Sequence, residues 1–289
     1  MHLNHSAYVW TGSAETAFQK AQSTAQKALE IDSSCADALA VISQCNLTAG
    51  DCLQAYEQAK QAFEKQPHVP ALIHNWGHIN CQLGYCHEAV KAMARTVEID
   101  PLYSGYWNNY AVALQNVGAY DKAEHPARRA TELGDFAGHT TLAWNAFAQG
   151  NGEAAVEQLL EMSKALAKQL SSDQGEQTLW KTVARAQFLE SEADRTAITG
   201  YLQHQMTQPD FKPTGISING AAQFGLIESF FEQWPETYFE KGNLGLLIWS
   251  DFKWAQNLRE HESFKDFAVR EGMQAVWEKY GWPDSYQPA

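Results

Sequence analysis

Three side chains within one short stretch have the types and spacing of metal chemistry. His74, His78 and Cys81 stand at i, i+4 and i+7, which brings two imidazoles and a thiol to one face of a helix. Zinc takes four such ligands, no neighbouring fourth can be named, and neither a CxxC nor an HExxH pattern occurs. The reading is therefore no metal and no cofactor, with the three residues forming part of a polar surface. Catalytic motifs are also missing: there is no P-loop, glycine-rich dinucleotide turn or nucleophile elbow. Asp and Glu are plentiful, but they fall on helix exteriors and in caps, where solvated charge is the usual meaning. The expectation is a protein that is not an enzyme.

The residues around those imidazoles offer a different chemistry. Asn75 and Gln82 accompany His74 and His78. A similar set, Asn108, Asn109, Gln115 and Asn116 with Val112, follows about one period later, and Thr140, Thr141, Trp144 and Phe147 come after it. Amides both donate and accept, which suits the backbone of an extended peptide or the hydroxyls of a sugar. What must position such sets is an element that recurs.

That recurrence is explicit. Gly50, Gly84 and Gly118 lie 34 residues apart, and the same period marks Ser33, Pro67, Pro101 and Asp135. Small residues recur at Ala21, Ala55, Ala89 and Ala123, and again at Ala28, Ala62, Thr96 and Ala130. They let helix axes approach closely. Larger side chains fill the complementary places: Leu39, Ile42, Ile73, Trp76, Trp107, Tyr110 and Tyr120. A fixed period of 34 residues resembles the tetratricopeptide (TPR) repeat, a helix–turn–helix unit with its turn at the glycine. The resemblance covers roughly residues 14 to 168, including a shortened fourth unit at Leu142, Ala143, Gly150 and Ala155. It implies an all-α, right-handed solenoid of antiparallel helix pairs around 14–34, 36–67, 70–101, 104–135 and 138–168. Residues 169–289 would be degenerate TPR-like helices ending in a tryptophan-rich C-terminal cap.

Within such an array the first helix of each repeat lines the concave face. The register puts His74, Asn75, His78, Gln82, Asn108, Asn109, Val112, Gln115, Asn116, Trp144 and Phe147 there, as an uncharged polar stripe with an aromatic end. Asn75 and Asn109 occupy equivalent places, a two-rung amide ladder. Their side chains are expected to point away from the interhelical core, so that alanine at both would weaken a ligand and spare the fold. Capture of a peptide carboxylate is rejected. The basic residues it needs are replaced by Ala40, Gln44, Asn75, Gly105 and Asn109.

Composition bounds the rest. The 289 residues are 45% hydrophobic with a formal net charge of −13 and no basic cluster, which argues against direct nucleic-acid binding. No run is long and apolar enough for a membrane span, and Met1 to Thr11 lacks the pattern of a secretory signal. The five cysteines include Cys81 and Cys86 on either side of Gly84, where a bridge is conceivable; buried apolar thiols are the preferred reading.

Beyond Lys168 the period fades. Ser171 to Gly175 is expected as a loop, followed by a helical hairpin, a second loop from Gln208 to Gly215 and a Leu/Trp-rich helix from Leu244 to Leu258. Five of the ten tryptophans lie between Trp234 and Trp282, a density expected of a layer that covers the open end of the solenoid. Trp277 and Trp282 are both expected to be buried, with Gly281 turning the chain sharply. Pro126, well inside a second helix, predicts a bend, a wide turn or a late helix start.

The tail carries a second resemblance. Leu258-Arg259, Phe264-Lys265, Gly272, Trp277 and Gly281-Trp282-Pro283-Asp284 are similar to a closing signature behind repeat arrays in bacterial winged-helix (CadC-like) or class III cyclase-linked regulators. The resemblance implies the sensory or interaction part of such a regulator, with the output domain upstream and absent from this chain. Three functions follow. The first is a regulatory sensor or interaction scaffold for a peptide, protein or small polar ligand. The second is a stand-alone peptide-binding adaptor or chaperone-like module. The third is an enzyme with its site between solenoid and tail. The bare chain is expected in the cytoplasm, and a membrane-anchored relative would hold this part in the periplasm.

Overall fold

A glycine at a fixed interval ends one helix and turns the chain into the next. Gly50, Gly84, Gly118 and Gly150 all have positive φ, between 70° and 85°. This left-handed conformation is unfavourable for any residue with a Cβ. At each turn the amide three residues beyond the helix bonds back to a carbonyl five residues earlier: Asp51 to Asn46, Tyr85 to Asn80, Ala119 to Leu114 and Asn151 to Ala146, at 2.8–2.9 Å. This closes the helix C-terminus and reverses the chain.

The computed structural model describes residues 14–170, 174–208, 220–232 and 248–287. The array is built from α1 (Ala14–Ile31), α2 (Ala36–Thr48), α3 (Cys52–Lys65), α4 (Pro70–Gln82), α5 (Cys86–Ile99), α6 (Ser104–Asn116), α7 (Tyr120–Glu132), α8 (Ala137–Ala148) and α9 (Gly152–Leu170). A further hairpin, α10 (Gln174–Phe188) and α11 (Glu192–Met206), stacks on α9. Successive helices pack antiparallel on one another, so the molecule is an all-α solenoid, and no strand occurs among the described residues. The recurring small residues sit at the closest approaches: Ala55, Ala89, Ala123, Ala62, Thr96 and Ala130 are fully buried.

The remaining described chain includes four short helices, α12 (Ile227–Glu232), α13 (Lys253–Glu260), α14 (Ser263–Arg270) and α15 (Met273–Tyr280), besides a helical stretch at 220–223. Among the described residues only the stretch just before α12, with Phe224 and Leu226, packs on the last hairpin, against Ile198 and Leu202. Residues 248–287 return to the early repeats, and the largest apolar core joins them to α3, α4 and α5. Trp249, Phe264, Phe267 and Trp277 meet Ala55, Ile73, Ile79 and Leu83 there. The physical reason is edge chemistry, since the row of turns offers unpaired carbonyls and bare glycine Cα atoms to which the tail is fitted.

Other expectations are also corrected. α7 runs unbroken from Tyr120 to Glu132 through Pro126, with no late start or intervening turn. Its ring is buried, and that burial offsets the lost bond to the Lys122 carbonyl. Gly175 belongs to α10 instead of a loop, and residues 171–173 lie outside the described residues. The Leu/Trp-rich helix begins only at Lys253, because 248–252 form turns and bends. Leu244, Trp234-Pro235 and most of the 208–215 loop lie outside the described residues. Trp282 is 37% exposed, whereas Trp277 and Trp249 are buried. No cysteine is bridged. The Cys81 and Cys86 thiols share a hydrogen bond that, with burial, holds Cys86 well above the usual thiol range. No described helix is long and apolar enough to cross a membrane.

Candidate functional site

The first helices of the repeats, α2, α4, α6 and α8, meet through polar side chains. Asn75 Nδ2 donates to Ser43 Oγ at 2.9 Å, and Gln44 Nε2 donates to Asn75 Oδ1 at 2.5 Å. The same Gln44 nitrogen lies 3.4 Å from His78 Nδ1, and Gln82 Nε2 lies 3.5 Å from His78 Nε2. One repeat on, Asn109 Nδ2 is 2.7 Å from His74 Nε2, and Asn116 Nδ2 donates to Cys81 Sγ at 3.3 Å. The next interface joins Thr141 Oγ1 to Asn108 Oδ1, and Gln115 Nε2 to both the Thr141 carbonyl and Asn145 Oδ1. The inter-repeat partners are 26 to 35 residues apart in sequence. The amides thus form a ladder across the repeats, each rung taking a partner from the next unit.

This placement differs from a solvated stripe. His74, Asn75, His78, Gln82, Asn108, Val112, Gln115, Asn116 and Trp144 are buried, while Asn109 and Phe147 are half-buried. Alanine at Asn75 and Asn109 would therefore strand buried partners, at about 1–3 kcal/mol for each group left unmet, and would not spare the fold as expected. The aromatic end is also enclosed. The Trp144 ring lies 4.4 Å from Phe252 and 5.1 Å from Phe188, and Phe147 lies 5.5 Å from Phe188. Amides engage the ring nitrogens of His74 and His78 and the Cys81 thiol. Among the described residues no three His, Cys, Asp or Glu are placed to hold a metal ion.

The second constellation lies along the turns. α4 ends with carbonyls that have no helical partner, and the tail supplies their donors. Trp249 Nε1 donates to Gln82 O at 3.0 Å, Trp277 Nε1 to Leu83 O at 2.9 Å, and the Asp284 amide to Gly84 O at 3.1 Å. α5 begins without a side-chain cap of its own. Asp284 Oδ2 takes the His87 amide at 2.8 Å and approaches its Nδ1 at 2.9 Å, a carboxylate where the helix dipole favours one. Tyr85 Oη donates to Gly281 O at 2.6 Å, and Lys279 reaches Glu57 at 2.5 Å.

The same strip extends to either side. Gly272 sits against Gly50, where a Cβ would stand 1.9 Å from the Gly50 carbonyl oxygen. Tyr120 Oη donates to Asp251, whose carboxyl is pushed up by burial. Arg259, its pKa lowered by desolvation, donates to the Ile248 and Ser250 carbonyls and fixes the bend into α13.

Several of these residues have no motif of their own. Gln44 could have been found by continuing the repeat register one unit back from His78, whereas Asn145 could not, because the shortened fourth unit puts Thr141 at the place equivalent to Asn109. Asp284, Asp251 and His87 could not, because their partners are more than a hundred residues away.

No family model and no curated protein matches the sequence. Solved structures do resemble it. A tetratricopeptide repeat protein from Parabacteroides merdae superposes with a TM-score of 0.54 over 90% of this chain and 93% of its own, at 12% identity. TTC0263, a thermophilic TPR protein of Thermus thermophilus, matches over 59% of this chain and 92% of its own, with a TM-score of 0.48 and 19% identity. YrrB, described as a TPR protein with an unusual peptide-binding site, matches over 55% and 86%, with a TM-score of 0.44 and 20% identity. The chain has the fold of a tetratricopeptide-repeat solenoid.

Proposed function

We propose that this chain is a non-enzymatic interaction scaffold that takes an extended peptide or protein segment along the inner row of α4, α6 and α8. The reading rests on the amide ladder and its two unspent ends. Gln44 Oε1 and Asn145 Nδ2 are buried and have no hydrogen-bond partner among the described residues. An unmet buried group is costly, and a polypeptide backbone offers one donor and one acceptor per residue. Asn109 and Phe147, the less buried members of the row, are the proposed first contacts, and His74, Asn75, His78, Gln82, Asn108, Val112, Gln115, Asn116 and Trp144 the layer that orients them. The tail signature supports the finer reading that the scaffold is the sensory part of a longer regulator.

The test begins with a partner captured by the wild-type chain. Asn109→Ala and Phe147→Ala should each weaken it, the first by about 2- to 15-fold for one hydrogen bond. Unchanged affinity in both variants, each still folded, would sink the inner-row reading. Turnover of a substrate by the isolated chain would sink the non-enzymatic one.

A further inference from the structure

The turn between α4 and α5 carries a thiol on each limb. Cys81 lies one residue before the end of α4, and Cys86 is the first residue of α5. Between them the Tyr85 amide bonds to the Asn80 carbonyl at 2.9 Å and the Gly84 amide to the Cys81 carbonyl at 3.2 Å, which holds the two limbs together. Both side chains are buried, and their thiols share a hydrogen bond. Thiols in contact across a closed turn are placed to form a disulfide with little backbone movement. The proposed scaffold function makes no use of that chemistry.

Polar and charged groups converge on the pair. Asn116 Nδ2 donates to Cys81 Sγ at 3.3 Å, a bond that strengthens when the sulfur is anionic. The buried Arg259 guanidinium donates to the Ile248 and Ser250 carbonyls and acts on Cys86 as a positive charge, which favours its thiolate. The contact with Cys81 and burial oppose this and hold Cys86 above the usual thiol range, with the Asp284 carboxylate adding to them. The tail is the cover. Trp249 and Trp277 share a core with Cys86. The Gln82, Leu83 and Gly84 carbonyls, all between the two thiols, accept from the tail, and Asp284 Oδ2 holds the His87 amide. The closed turn keeps Cys86 out of reach, and lifting the tail uncovers it.

We propose that Cys81 and Cys86 form a dithiol–disulfide couple that reacts with small disulfides of the glutathione class, at a rate governed by the docked tail. In the first step the thiolate of one cysteine attacks a sulfur of the small disulfide. A mixed disulfide forms, and one glutathione thiolate leaves and takes up the proton that the cysteine lost. In the second step the thiolate of the other cysteine attacks the protein sulfur of the mixed disulfide and releases the second glutathione in the same way. Two protein thiols are oxidised to one disulfide, and one glutathione disulfide is reduced to two thiols. The couple does not depend on the proposed scaffold function.

The experiment is equilibration of the full chain with mixtures of reduced and oxidised glutathione, followed by acid quenching, alkylation and peptide mass spectrometry. The peptide holding Cys81 and Cys86 should lose two hydrogens and resist alkylation, while Cys45 and Cys52 stay as thiols. Cys35 is only half-buried and serves as the internal control, since it should take up glutathione whether or not the couple exists. Asp284→Ala should speed formation of the bridge by about threefold or more, because it frees the His87 amide and removes a negative charge near Cys86. Cys86→Ser should abolish the bridge, and the wild-type peptide map stands by itself if that variant does not fold. The couple is overturned if Cys81 and Cys86 stay reduced while Cys35 is modified, or if another pairing forms first in the folded chain. The control by the tail is overturned if Asp284→Ala forms the bridge at the wild-type rate.

Discussion

Two kinds of turn occupy equivalent places in the array. At the first and fourth the chain caps its own second helix. Asp51 accepts from the Gln54 amide, and Asn151 Oδ1 from the Ala154 amide at 3.1 Å. At the second and third the equivalent residues are Tyr85 and Ala119, which offer no cap, and there the tail brings Asp284 and Asp251. The glycines divide differently, because the self-capped turn at Gly50 is also met by the tail, a Cβ there standing 3.5 Å from the Arg270 carbonyl oxygen. A Cβ on Gly84 would meet Pro283 at 2.7 Å and Trp249 at 2.9 Å, one on Gly118 would meet Asp251 at 3.2 Å, and one on Gly150 would meet nothing within 4 Å. A repeat that ends itself can stand at the edge of the molecule. A repeat whose ends are left unsatisfied has become a docking site, and the tail belongs to its fold.

The most severe break of this comparison is removal of residues 264–289. It takes Phe264, Phe267 and Trp277 out of the shared core, exposes Ile73, Ile79 and Leu83, and leaves the Leu83 and Gly84 carbonyls without donors. The truncated chain should aggregate or lose most of its stability in urea unfolding. A soluble, monomeric and equally stable fragment would end the claim that the tail is part of the early repeats.

Gly84→Ala against Gly150→Ala sharpens it. Both place a Cβ at positive φ, at about 1–2 kcal/mol. Only Gly84→Ala also overpacks two rigid rings, adding about 1–3 kcal/mol. Thermal unfolding should rank the two clearly, and equal losses would show that the tail yields freely. Asp284→Ala is next, at about 1 kcal/mol by analogy with other helix caps. Unlike Asp51→Ala, which loosens only the first turn of α3, it should speed hydrogen exchange at the Trp277 indole. The smallest effect is expected at Glu57. Lys279 hydrogen-bonds this exposed carboxylate and holds it below the usual range. The contribution is present above the ordinary glutamate value and fades as pH falls through the lowered one. Acid titration of the wild type against Lys279→Met should show a slight difference confined to that window.

The period of the glycines and small residues was sufficient for the helix pairs, because each unit is closed by local rules: αL at glycine, close approach at alanine, caps at Asp51 and Asn151. The polar row was legible as residue types and as a face. Its burial was not, since a register shows which side chains share a row without showing that Gln44 bonds Asn75 or that Asn109 bonds His74. Pro126 was read as a local defect. Tertiary packing carried the helix through it, an outcome no propensity contains.

The sequence by itself determined the solenoid, through interactions within about 35 residues that repetition makes visible. Only the tertiary structure decided where the tail goes. Trp249, Trp277 and Asp284 find their partners across 167, 194 and 197 residues. Nothing periodic marks such contacts, because they depend on which carbonyls and amides the finished repeats leave without partners.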